Sequence, residues 1–186
     1  MDEPKNRFLV RTGEKEEFNQ YWYSAYTIEM MAKEVEENSK KCAFLSTPSI
    51  YYSLTKGSEV RENSYCFDLD DQWSKDPHFV MYDFNKNEDI PKELHGQFDC
   101  VVIDPPFITE EVWEKYATAA RMLLEEGGKV IATTIQENAP MMKEKLNVEP
   151  QAFKPSIPHL VYQYFCYTSY PSTVLNIPNK EIPEDD

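Results

Sequence analysis

The residues with the clearest capacity for chemistry are Asp104-Pro105-Pro106-Phe107, which close the apolar run from Phe98 to Ile103. Proline has no N–H and holds φ at about −65°. Each proline also pushes its predecessor towards extended backbone. A strand that ends this way leaves stiffly, with carbonyls not committed to a local turn. Asp104 adds two acceptor oxygens. Phe107 adds an apolar face that can hold a planar ring or attract a cation. Acceptors beside a wall suit an incoming amino group, which brings N–H donors and has to be aligned. The plainer alternative is a stiff loop whose Asp caps the next helix. Three other polar stretches also follow apolar runs: Ser46-Thr47-Pro48-Ser49, Asp68 to Asp71, and Asp83 to Asn85.

The elements that have to present these tips follow from the hydrophobic pattern. Phe18, Trp22, Tyr26 and the Met30/Met31 pair recur at helical spacing, so residues 14–38 read as one amphipathic helix. Cys42 to Leu45 is a short buried strand, and a short helix over 50–54 closes at Gly57. Strands follow in 64–70 and 78–85, then a helical turn in 89–94. Phe98 to Ile103 is almost continuously apolar, as a strand buried on both faces must be. Residues 109–126 form a helix with Thr109 as N-cap and acids in its first turn, ended by Gly127-Gly128. Lys129 to Ile135 is a strand, and 138–146 is a helix with Pro140 early. Two final strands occupy 151–157 and 160–170. The N-terminus reads as flexible and the acidic tail 176–186 as frayed. Strands alternating with helices give an α/β fold, a doubly wound, mostly parallel, Rossmann-like sheet of seven strands. It forms one domain over 1–186 with its core in about 18–170. Ligands of such sheets sit at the carboxyl ends of the strands, where all four polar tips fall.

Bulk properties narrow the class further. The chain has 186 residues, 41% hydrophobic and 13% aromatic, which suits one packed domain rather than a disordered chain. No run of about twenty apolar residues is present to span a membrane. The charged N-terminus has no apolar leader. Cys42, Cys66, Cys100 and Cys166 lie far apart, as reduced buried thiols of a cytoplasmic protein do. The three histidines are isolated from one another and from the cysteines, so no metal is expected. The net charge is −14, with 19 Lys and Arg scattered along the chain. A polyanion would be repelled, so nucleic acid is disfavoured. A basic protein, peptide or small molecule is favoured.

Asp104-Pro105-Pro106-Phe107 resembles the Asp/Asn/Ser-Pro-Pro-aromatic tetrad of amino-methyltransferases that use S-adenosylmethionine. Five stretches together resemble one branch: QYWYS (20–24), AFLSTPSIYYSL (43–54), FDLD (67–70), FVMYDFN (79–85) and FDCVVIDPPF (98–107). That family was first named adenine-specific DNA methyltransferase-like. It is now regarded as lysine methyltransferases of translation elongation factor 1-alpha. The resemblance spans residues 18–168 and implies S-adenosylmethionine as cofactor and a class I methyltransferase fold. It implies that Asp104 and the Pro105 carbonyl receive the target amine, with Pro106 stiffening the tip and Phe107 packing on the amine or sulfonium. Asp68, or its rival Asp70, would bind the ribose hydroxyls. Asp83 or a neighbour would read the adenine, with Tyr82 or Phe84 against the ring. Ser46, Thr47, Pro48 and Ser49 replace a glycine-rich loop. Gln20 to Tyr23, with Trp22 on the cofactor, would form a lid, although their helical spacing fits core residues. The family often has a His after the proline of FKPSI and then Asn-Glu-aromatic; here Ile157 and Tyr162-Gln163-Tyr164 stand there. Two other readings stay open: an adenine methyltransferase acting on DNA or RNA, and a non-catalytic cofactor-binding scaffold.

Overall fold

The computed structural model describes residues 6–183. Its frame is a sheet in the order β3-β2-β1-β4-β5-β7-β6. The strands are β1 (Cys42–Leu45), β2 (Tyr65–Asp68), β3 (Phe79–Met81), β4 (Phe98–Ile103), β5 (Leu124–Ile135), β6 (Glu149–Pro150) and β7 (Tyr164–Thr168). β1 to β5 run parallel, and β7 lies antiparallel between β5 and β6. The expected α/β class and seven-stranded, mostly parallel sheet are therefore present. The order reverses between β1 and β4, so a crevice opens at their carboxyl ends.

Alternation along the central strands divides the core into two layers. Ala43, Leu45, Phe67, Val101 and Ile103 face α5 (Glu110–Leu123) and α6 (Ala139–Leu146), meeting Trp113, Tyr116, Leu123 and Met142. Cys42, Phe44, Cys66, Cys100 and Val102 face α2 (Ala25–Asn38) and α3 (Pro48–Tyr51), meeting Ile28, Met31, Val35 and Ile50. Both faces are apolar, which is why the strands read as unbroken runs. All four cysteines are free and buried.

Several expected boundaries move. The helix read over 14–38 starts only at Ala25, because the Ser24 hydroxyl caps it by accepting from the Thr27 amide at 3.1 Å. Upstream, Asn19 has left-handed backbone, φ 53° and ψ 44°, which no α-helix continues through. Two short helices fall outside the expected elements, α1 (Arg7–Arg11) and α4 (Glu59–Asn63). α1 buries Phe8 against Trp22, so from residue 6 onward the N-terminus is packed. Residues 1–5 lie outside the described residues. α5 ends at Leu123, and Gly127-Gly128 lie instead in a bulge of β5, where pairing with β4 jumps from Leu124 to Lys129. Gly127 there has φ +77°, which favours glycine.

The strand expected over 151–157 is absent. Pro155 interrupts the ladder donors, and β6 shrinks to Glu149–Pro150. Ser156 bonds instead to α2 and its cap, accepting from the Ser24 amide and donating to the Thr27 hydroxyl. The tail is docked as far as residue 183 is described. Leu175 and Asn179 are buried, and the Asn179 amide donates to the Lys154 carbonyl at 2.7 Å. The buried Glu34 carboxylate of α2 accepts from the amides of Thr173, Val174 and Leu175. Residues 184–186 of the tail lie outside the described residues.

Candidate active site

The crevice between the β1 and β4 tips opens into a cavity with about 810 Å³ of space free of protein atoms, its mouth included. β1 ends at Ser46, whose φ of 60° turns the chain sharply. This is the turn that a glycine makes in a glycine-rich loop; here a serine adopts it at a cost of about 1–2 kcal/mol. The Ser46 amide donates to the Phe67 carbonyl at 2.8 Å, and its hydroxyl meets the Tyr116 hydroxyl at 2.7 Å. β4 ends at Asp104, whose amide donates to the Leu45 carbonyl at 3.2 Å, tying the two tips together.

Of the residues singled out from sequence, Trp22, Ser46, Asp68, Asp83, Phe84, Asp104, Pro105 and Pro106 line this cavity together. Thr47, Pro48 and Ser49 do not. They open α3, with Thr47 and Ser49 buried and the Thr47 hydroxyl on the Val102 carbonyl. Phe107 points outward and is 50% exposed. Asp70 lies fully buried behind the wall, and its carboxylate accepts from Lys15 at 3.1 Å, Gln20 at 2.9 Å and the Gln72 side chain at 2.6 Å. Asp70 is therefore an anchor for the N-terminal segment, which leaves Asp68 as the acid on the cavity side. Asp83 accepts from the Asn85 amide at 2.9 Å, so it shapes its own turn and lines the cavity as well.

The stretch over 12–23 is an irregular strap across the cavity, with one 3-10 turn at Glu16–Phe18, rather than part of a continuous α-helix. Phe18, Asn19, Gln20, Tyr21 and Trp22 line its interior. Trp22 is fixed by its indole N–H on the Thr12 carbonyl and its backbone amide on Glu14. Glu14 also pairs with His159 of the facing loop. Tyr23 is buried, with its hydroxyl 2.7 Å from that of Thr133 on β5. Sequence reasoning did not single out Asn19, Thr133, Leu69, Tyr116 or Leu160. Thr133 carried a weak signal, a hydroxyl in an apolar strand beside β4; Asn19 carried none.

Electrostatics set this cavity apart. Among the described residues, three carboxyl groups line it, Asp68, Asp83 and Asp104, and no Lys, Arg or His does. Burial pushes Asp104 up to about 7, partly offset by the hydroxyls of Tyr23 and Thr133. Burial likewise pushes Asp68 up to about 7, offset in part by the Asp70 amide on its Oδ1. Carboxyl groups held in a poorly hydrated site without a countercharge favour a cation. The lining offers carboxyl acceptors at Asp68 and Asp104 and aromatic side chains at Tyr82 and Phe84.

A family model described as "probable N6-adenine methyltransferase" matches residues 14–172. The chain belongs to that family. A protein-lysine N-methyltransferase of Dictyostelium discoideum is 32% identical, with 96% of this chain and 87% of the relative covered. EEF1A lysine methyltransferase 1 of Homo sapiens is 29% identical, with 84% of this chain and 75% of the relative covered. Among solved structures, the fold is similar to 1,6-didemethyltoxoflavin-N1-methyltransferase of Burkholderia thailandensis with bound S-adenosylhomocysteine. There the TM-score is 0.53 at 11% identity, covering 77% of this chain and 76% of the other. A precorrin 8W decarboxylase of Methanobacterium thermoautotrophicum gives a TM-score of 0.56 at 12% identity, covering 87% and 98%. These two likenesses concern the fold alone. Among the described residues no helix is long and apolar enough to cross a membrane, and no cluster of three or more metal-ligating side chains occurs.

Proposed function

We propose that this family member transfers a methyl group from S-adenosylmethionine to a lysine ε-amine of a basic protein. The observation that carries the reading is the cavity lined, among the described residues, by three carboxyl groups and no cationic side chain, with Asp104 at the β4 tip. Bound there, the cofactor supplies a methyl group activated on a sulfonium. Asp68 would hold its ribose, Phe84 and Tyr82 its adenine, and Trp22 and Ser46 its remaining edge. Asp104 and the Pro105 carbonyl would receive the amine N–H groups. A lysine ammonium, with a reference pKa of about 10.4, has to lose a proton before it attacks. Burial gives Asp104 more affinity for that proton than an ordinary carboxylate has. The remaining contribution of the site is positioning in a space screened from water.

The name EEF1A lysine methyltransferase 1, carried by several relatives, supports translation elongation factor 1-alpha as the protein substrate, and the reaction on it would take place in the cytoplasm. The chain's charge of −14 suits a basic partner. Exposed apolar side chains occur in the cavity lining, Tyr21 and Leu69, and next to lining residues in the chain, Phe107 after Pro106 and Val161-Tyr162 after Leu160, as a protein-docking rim would need. The family's own description favours a second reading, the exocyclic amine of adenine, which would meet the same two acceptors after extrusion from a duplex.

Methyl transfer from labelled S-adenosylmethionine into a whole-cell lysate, with nuclease or protease pretreatment, separates these readings. Label in a protein band that resists nuclease, carries methyl-lysine and disappears with Asp104→Ala is the expected result. Label removed by nuclease and kept after protease would overturn it in favour of adenine. Cofactor binding with no labelled product in any fraction would leave a scaffold.

A further inference from the structure

The β4 tip poses a mechanical problem. Pro105 and Pro106 have no N–H groups, so this stretch cannot be fixed by donating hydrogen bonds. Their φ angles are set by the rings, which leaves the ψ angles as the soft torsions. Only the carbonyls offer a handle. The side-chain amide of Asn19 donates to the Pro106 carbonyl, across 87 positions of sequence. On the far side of Phe107, the Asn138 amide donates to the Ile108 carbonyl at 3.0 Å. Among the described residues, the Pro105 carbonyl accepts no hydrogen bond.

Asn19 is itself held firmly. Its left-handed backbone is closed by its own amide on the Glu16 carbonyl at 2.9 Å. The flanking Lys15 amide donates to the Gln20 side-chain oxygen at 2.8 Å. Lys15 and Gln20 are both anchored on the buried Asp70. The strap thus connects the β2 side of the cavity to its β4 tip, and Asn19 is its point of contact with that tip.

We propose that Asn19 is a positioning residue: its amide fixes the Pro106 carbonyl, which aims the free Pro105 carbonyl and Asp104 at the incoming amine. This rests on the reading that the site methylates an amine. Asparagine suits the position because it tolerates left-handed backbone and still carries a donor.

Asn19→Gly keeps the backbone conformation and deletes the amide. Asn19→Asp keeps the shape and sets an acceptor against an acceptor. Each would be compared with the native chain for kcat, KM of the protein substrate and Kd of S-adenosylhomocysteine. The 13C shift of the Pro106 carbonyl in proline-labelled protein would be recorded as well. We expect the Pro106 shift to move upfield in both variants, as a carbonyl losing its donor does. We expect kcat to fall about tenfold or more, with Kd changed less than about twofold. An unmoved Pro106 shift, or full kcat in both variants, would overturn the proposal. So would a loss of activity accounted for wholly by weaker cofactor binding. A native chain that methylates no lysine would sink the functional reading separately, and the carbonyl shift would still decide whether Asn19 holds the tip.

Discussion

Asp104 and Asp68 sit on one cavity wall, and burial raises each to about 7. An acid whose folded pKa exceeds its unfolded value keeps a proton that the unfolded chain has lost. Stability from such a site is greatest at low pH, falls as pH rises from about 4 to about 7, and is level above that. Asp104→Asn removes the buried charge at constant size. It should stabilise the ligand-free chain by about 1–2 kcal/mol at pH 8 and by nothing measurable at pH 4. Urea unfolding at the two pH values checks this, and an equal effect at both would show that ionisation is not the cause. Methyl transfer has the opposite need, an ionised acceptor facing an ammonium. For the native chain kcat/KM should drop as pH falls below about 7, and Asp104→Asn should lose about 100-fold or more at pH 8. The Asp-Pro-Pro-Phe tip was legible because each residue acts through its own backbone and side chain. The choice between Asp68 and Asp70 was not. Both follow the same strand, and only packing turned Asp70 towards Lys15, Gln20 and Gln72.

Among the elements, the strap over 12–23 departs furthest from its sequence pattern. Phe18, Trp22 and Tyr26 are spaced as on one helix, yet Phe18 ends a single 3-10 turn (Glu16–Phe18), Trp22 lies in irregular chain and Tyr26 alone lies on α2. Phe18 and Trp22 both line the cavity, although the left-handed Asn19 separates the turn of one from the irregular chain of the other. Asp70 holds this strap. Burial pushes its carboxyl up, but hydrogen bonds from Gln20, Gln72 and Lys15 outweigh that and bring it below the ordinary value. Asp70→Ala removes the buried anchor and should cost about 2–4 kcal/mol. Hydrogen exchange should then speed up across residues 14–22, with β4 still protected. Unchanged protection of the strap would mean that the contacts of Trp22 and Glu14 suffice. The central strands needed no such correction, because burial on both faces leaves a local mark, a run of apolar residues. The edge did need one: the stretch over 151–157 has apolar residues, but Pro155 denies it a complete ladder.

On the scale of the molecule, charge and surface govern how a partner arrives. On the basic protein substrate proposed for it, a chain of net charge −14 would gain encounter rate from long-range attraction, and salt screens that attraction over about 8–10 Å. Raising salt from 50 to 300 mM should lower kcat/KM for the protein substrate several-fold while leaving kcat nearly unchanged. A rate indifferent to salt would mean that the apolar rim at Tyr21, Phe107 and Tyr162 supplies recognition alone. The C-terminal segment is also decided at this scale. The acidic, proline-containing sequence of 176–186 reads as frayed, but Glu34 holds the amides of Thr173 to Leu175 just before it, and within it the buried Asn179 donates to the Lys154 carbonyl.

The sequence by itself determined the α/β class, the central strands and the four polar tips. Strand periodicity, two-sided burial and proline stereochemistry are properties of neighbouring residues. Tertiary structure alone decided which tips converge. A hydrogen bond between Asn19 and Pro106, or a shared cavity wall between Asp68 and Asp104, depends on packing between segments far apart in the chain. No local propensity records such a pairing, because its free energy exists only once the sheet has brought those segments together.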